Sequence, residues 1–419
     1  MRKTLLATTA LAAAGMVSFG SSAPASAAER LKLELGGYFQ AYYAFVNQSR
    51  KRSGTPVNIA APGAPPNFVS TSEPAADRRW NDLKREGEIF FKGEVALDNG
   101  MKVGIQVELE AETCGDQIDE SYIYFTGDFG KVIIGSENSA AYLMSVGAPA
   151  ADASFDGADP NYRLFQPGGN RAAASQAYVP NITGDSEKIT YMTPRFSGFM
   201  AGISFTGDNC EEASVGQICA KGGGFIGMPL KRRGITQNNG IAFQRDIIEL
   251  AANYTQNFDG FGVRAGATYG WGKIENRSAF DNATSQRQWT AGLNVTFGQF
   301  TVGGGYYWDN MGVSRNGDSR AYAAGVAWQN GPLRLGASYL NKKMERGTAF
   351  ATNRGVRDDR IHRYLVGGSY QYAPGMQARA AIHYYDLKGG NDTRAGTVGA
   401  NTNTNNDSWA FTIGTVLLF

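Results

Sequence analysis

From residue 31 onward the chain alternates between apolar and polar positions with the two-residue period of a β-strand. Sixteen such stretches are legible, running from 31–47, 86–98 and 101–112 through to 375–387 and 407–419. Val263, Ala265, Ala267, Tyr269 and Trp271 share one face, and Arg264 points the other way. Leu333, Leu335, Ala337 and Tyr339 stand opposite Arg334 and Ser338; Met376, Ala378, Ala380, Ile382 and Tyr384 stand opposite Gln377, Arg379 and His383. An apolar face that closes on Tyr or Trp suits lipid bordered by an aromatic girdle.

The connections alternate as well. Short turns such as Asp98-Asn99-Gly100, Gly127-Asp128-Phe129-Gly130 and Pro374-Gly375 are separated by long loops at 48–85, 137–185, 207–244 and 388–406. Short turns at one end, long loops at the other and an even strand number predict an all-β fold: a sixteen-stranded antiparallel transmembrane β-barrel. A soluble sandwich also alternates, but it does not call for this rhythm of loops. In the last strand Trp409, Phe411, Ile413, Leu417 and Phe419 fall on one face. Phe419 is expected to act as an assembly signal, in a strand that must pair with the first.

Composition agrees with strands and tight turns: 54 Gly, 20 Tyr and 23 Phe, but only 2 His. A mean hydropathy of -0.32 is what a wall facing lipid and water alternately averages to. Arg2 and Lys3, the uncharged apolar run after them and Ala25-Ser26-Ala27 read as a secretory signal, so residues 1–28 are expected to be cleaved from a barrel of 29–419. The whole chain has 40 basic and 38 acidic residues, and loss of that segment brings the balance to zero. A nucleic-acid binder would be clearly basic, so none is expected as a partner.

Cys210 and Cys219 lie in one loop of a secreted chain and are expected to pair, leaving Cys114 as the odd thiol; a bridge from Cys114 to that loop is the alternative. No ligand spacing suggests a metal or other cofactor, and the spacing of Asp152, Asp156 and Asp159 is not that of a helix-flanked calcium loop.

Four stretches then resemble the Gram-negative general porins, in the style of alphaproteobacteria. They are 88–94 with 97–102, Gly127-Asp128-Phe129-Gly130 with the strand to Gly135, the hairpin 191–199, and Phe419. The resemblance implies a trimer of sixteen-stranded barrels in the outer membrane, each with its third external loop, here 137–185, folded into the pore. It implies contact with membrane lipid and lipopolysaccharide, assembly through the C-terminal strand by the barrel-assembly machinery, and passage of small hydrophilic solutes. Asp152, Asp156 and Asp159 would line the constriction and face a basic wall.

Parity assigns that wall. Glu86, Glu88, Lys92 and Glu94 on the second strand, and Lys102, Glu108 and Glu110 on the third, point into the lumen. The family often carries arginines on these strands, whereas Glu88 and Asp119 fall near those places here. Arg264, Arg334 and Arg379 then supply positive charge on later strands. The expected activity is passive diffusion with weak cation preference, with a substrate-selective channel as the alternative. An enzyme would need a nucleophile with a positioned base, and His362 and His383 accompany no recognisable Ser motif; a surface adhesin is the remaining reading.

Overall fold

The computed structural model describes residues 31–49, 79–111, 118–160, 176–209, 244–274, 283–312, 314, 317–345, 358–388 and 406–419. The signal segment 1–28 and all three cysteines, Cys114, Cys210 and Cys219, lie outside the described residues.

Sixteen strands close into one antiparallel barrel in which every strand pairs with its sequence neighbours and β1 (Lys32–Gln48) also pairs with β16 (Asn406–Leu418). The seam is in register from Tyr38 opposite Leu418 to Gln48 opposite Ser408. Beyond it Gly37 and Phe419 exchange two backbone hydrogen bonds of 2.9 and 3.1 Å. Closure leaves no unpaired sheet edge, which a wall bathed in lipid requires.

The intervening strands are β2 (Asn81–Ala96), β3 (Lys102–Glu110), β4 (Ser121–Gly127), β5 (Gly130–Ser136), β6 (Glu187–Met192), β7 (Phe199–Asp208), β8 (Gln244–Phe258) and β9 (Phe261–Ile274), then β10 (Gln286–Phe297), β11 (Phe300–Asp309), β12 (Ser319–Asn330), β13 (Leu333–Met344), β14 (Asp359–Ala373) and β15 (Met376–Lys388). β2 begins five residues before the expected 86. Apart from Leu83, its first five residues (Asn81, Asp82, Lys84 and Arg85) are polar on both faces, so the alternation that marks a lipid-facing strand is missing where the strand rises towards the long loops. The periplasmic turns are tight; Gly375 between β14 and β15 has φ +71, a conformation that a side chain disfavours.

The outer wall carries one continuous aromatic belt. Tyr269, Trp289, Tyr306, Tyr322, Tyr339, Tyr364, Tyr384 and Trp409 come one from each strand from β9 to β16; the rings of Trp289 and Tyr306 are 4.9 Å apart, Tyr306 and Tyr322 are cross-strand partners, and successive rings from Tyr322 to Trp409 are 4.6–6.1 Å apart. Such rings mark the membrane–water boundary. No outward position of β2, β3, β4 or β5 carries Tyr or Trp; those positions hold residues such as Ile89, Phe91, Val103, Ile105, Ile123 and Ile134.

Candidate functional site

The described parts of the loop between β5 and β6, 137–160 and 176–186, sit inside the barrel. Two short helical turns shape it, α1 (Ala140–Leu143) and α2 (Ala153–Asp156). Ser139 caps α1, its hydroxyl accepting from the Tyr142 N–H, and Asp152 caps α2 in the same way by accepting from the Ser154 N–H. Between them runs Val146-Gly147-Ala148-Pro149-Ala150-Ala151, thin and almost free of side-chain bulk.

Wall side chains hold the described parts of this loop at several points. The Ala140 N–H donates to Ser204 on β7 at 2.8 Å, Asn294 on β10 donates to the Gly147 carbonyl at 3.0 Å, and Arg334 on β13 donates to the Ala150 carbonyl at 2.9 Å. Arg363 on β14 donates to the Phe155 carbonyl and to Gln176. Arg379 on β15 forms an ion pair with Asp152 at 2.8 Å and also donates to Ser154; Tyr42 on β1 donates to the same carboxylate at 3.0 Å. At the loop's root Lys188 donates to the carbonyls of Glu137 and Gly184.

The three loop aspartates therefore have different surroundings. Asp152 is 3% exposed and paired with Arg379; Asp156 is 2% exposed and accepts from Ser338 and from the backbone of Ala151 and Asp152. Burial raises the Asp156 pKa above the usual carboxylate range, against the opposing pull of nearby Arg363. Both were expected to line the constriction, and both are instead turned into the packing between loop and wall. Asp159, half-buried, accepts from Tyr142 and lines a recess of about 320 Å³ at the loop tip with Tyr38, Gln40, Ser154 and Arg379.

The arginines likewise differ from the basic wall that the resemblance implied. Arg334, Arg363 and Arg379 each donate to the loop, and Arg379 also donates to Gln377 on its own strand. Arg264 lies exposed near the periplasmic end of β9. Arg363 and Tyr42 were not singled out in the sequence; their inward parity was the one available signal.

Across the lumen stands an acidic wall. Glu86 and Glu88 accept from Tyr38, and Glu86 also accepts from Gln40; Glu108 accepts from Gln106. These partners are neutral. The carboxylates of Glu88, Glu110 and Asp119 converge to within 4.8 Å of one another. Towards the periplasm, Lys102 pairs with Glu94 at 2.8 Å, and Lys92, exposed, lies in register between Glu34 and Gln106. Lys131 on β5 lies over the ring of Tyr124.

A closed sixteen-stranded wall, apolar and girdled outside but charged inside, defines a transmembrane pore. A family model described as Gram-negative porin matches residues 7–390, and the chain belongs to that family. It is an outer-membrane porin. A monosaccharide porin of Halomonas sp. is 24% identical over 327 residues, covering 73% of this chain and 80% of that one. A protein of Rickettsia bellii is 22% identical over 444 residues, covering 93% and 94%. Among solved structures, the anion-selective porin from Comamonas acidovorans superposes with a TM-score of 0.53 at 15% identity, covering 93% of this chain and 100% of that one. OmpF of Salmonella typhi in complex with daunomycin gives 0.53 at 14%, covering 93% and 98%. At these identities the structures speak for the fold alone.

Proposed function

We propose that ions and small hydrophilic solutes diffuse passively through this pore, with a weak preference for cations. The observation that carries the preference is the acidic wall, where Glu86, Glu88 and Glu108 are bonded to neutral partners beside the cluster of Glu88, Glu110 and Asp119. A concentration of carboxylates in a narrow aqueous passage raises the local cation concentration, and salt screens this over a Debye length of ~10 Å at 0.1 M. The test is the reversal potential across a bilayer under a KCl gradient. Wild type is expected to favour K⁺, and the variant with Glu86, Glu88, Glu108 and Glu110 changed to Gln is expected to lose the preference. Anion preference in the wild type would overturn the reading.

A second reading is a sugar-selective channel. The likeness to the Halomonas monosaccharide porin and the recess at the loop tip favour it. Block of the ion current by millimolar monosaccharide would support it, and an unaffected current would leave simple diffusion. The reading is of a channel and not an enzyme: the His383 ring is buried against Thr412 and Tyr385, and that of His362 contacts Tyr339 and Asn341.

The working unit in this proposal is a homotrimer, with lipid and lipopolysaccharide around it and the barrel-assembly machinery reading its last strand. The half-belt supports the trimer: lipid would face β9 to β16, and copies of the chain would cover β2 to β5. Ile105→Lys is expected to dissociate the trimer on native gels, whereas Val302→Lys on β11 leaves it intact. Equal trimer yields from the two variants would count against this placement.

A further inference from the structure

The inserted loop crosses the wall over inward-facing glycines on successive strands. Gly266, Gly292 and Gly305, on β9, β10 and β11, are cross-strand partners in one row. The series then steps down to Gly325 on β12 and Gly336 on β13, each two residues from the partner of the position before it, as the loop descends. A side chain at any of these positions would meet the loop. A Cβ on Gly292 would overlap the Val146 carbonyl, with the carbonyl carbon at 2.7 Å, and one on Gly325 would overlap the Pro149 carbonyl. A Cβ on Gly266 would lie 2.7 Å from Val146 Cγ2, and one on Gly336 would lie 2.9 Å from the Ala151 Cα.

The loop is meanwhile fastened at both ends of this crossing, by Ala140 to Ser204 and by Asp152 to Arg379. Tyr178 of its returning limb accepts from the Ala148 N–H. With its ends held and the wall behind it, a displaced segment has one direction to move, towards the barrel axis. Packed protein transmits such a displacement and does not absorb it.

We infer that these five wall glycines set the bore of the pore: they let residues 146–151 lie flush against the barrel, and the space they leave is what solutes pass through. Gly266, Gly292, Gly305, Gly325 and Gly336 are thus size-determining residues that never touch the solute. The inference rests on the reading of an open diffusion pore, and a wild type that fails to conduct would end that reading first.

The experiment is single-channel conductance, with liposome swelling for solutes of graded size, on folded wild-type, Gly292→Ala and Gly325→Ala protein. Both variants are expected to lose conductance and to shift the size cut-off downward. Gly266→Ala should do the same more mildly, and Val146→Ala in the same chain should restore it, because the methyl that meets the new Cβ is gone. This pair decides the matter if Gly292→Ala does not fold. Folded glycine variants that conduct and exclude as wild type does would overturn the inference, as would a Gly266→Ala loss that Val146→Ala fails to relieve.

Discussion

Replacing Arg379 with Met is expected to free the tip of the inserted loop. Arg379 is the ionic partner of Asp152, whose side chain is 1% exposed while that of the arginine is 16% exposed. Removing one member of a buried pair leaves the other uncompensated, at a cost of about 3–5 kcal/mol; access of water to the arginine side places this case near the lower figure. The barrel should still close, because its ladder does not depend on this contact. The loss should appear locally, as noisy single-channel current and as proteolysis between residues 144 and 160. Asp152→Asn keeps an N-cap for α2, since Asn caps about as well as Asp. Arg379→Met with Asp152→Asn should therefore recover much of the quiet current. A quiet, protease-resistant Arg379→Met channel would show that the remaining fasteners suffice.

Deleting Phe419 is expected to lower the yield of folded barrel sharply. The residue contributes both backbone hydrogen bonds with Gly37 at the end of the seam, and its ring packs at the bare Cα of Gly37. Each bond is worth roughly 0.5–1.5 kcal/mol in water, and an unpaired backbone group costs more near lipid. Phe419→Ala keeps the bonds and removes the ring, so it separates the two contributions. Heat-modifiable gel mobility of refolded protein measures both. The deletion should fall several-fold below wild type, with Phe419→Ala between them. Equal yields for all three would remove Phe419 from any part in assembly.

Much of the barrel was legible because its wall has two environments and a strand has two faces. The alternation at 88–97 is enough to turn Glu88 inward and Phe91 outward, and Tyr38 and Glu88 meet across β1 and β2 accordingly. The same rule fails wherever the two environments become one. At 81–85 polar residues take both faces, with Leu83 alone apolar among them, and no period marks the strand. In the inserted loop there is no strand at all, so parity cannot separate Asp159, beside the lumen, from Asp156, which is buried against Ser338. A basic residue on an inward position reads as a pore charge from sequence alone. That Arg334, Arg363 and Arg379 hold the loop depends on where its carbonyls and Asp152 arrive, a tertiary fact with no local signature.

The loop's fastenings also bear on the barrel as a mechanical object. A wide ring of strands with a water-filled centre resists stretching through its hydrogen bonds but flattens easily, since bending the sheet breaks none of them. Here one segment is tied in turn to β7, β10, β13, β14, β15 and β1. It works as an internal brace spanning more than half the circumference, so that squeezing the ring into an ellipse must shear several polar contacts at once. The cross-section open to solutes should therefore hold its shape when the membrane is put under osmotic tension, and the sieve should keep one mesh size in dilute and concentrated media.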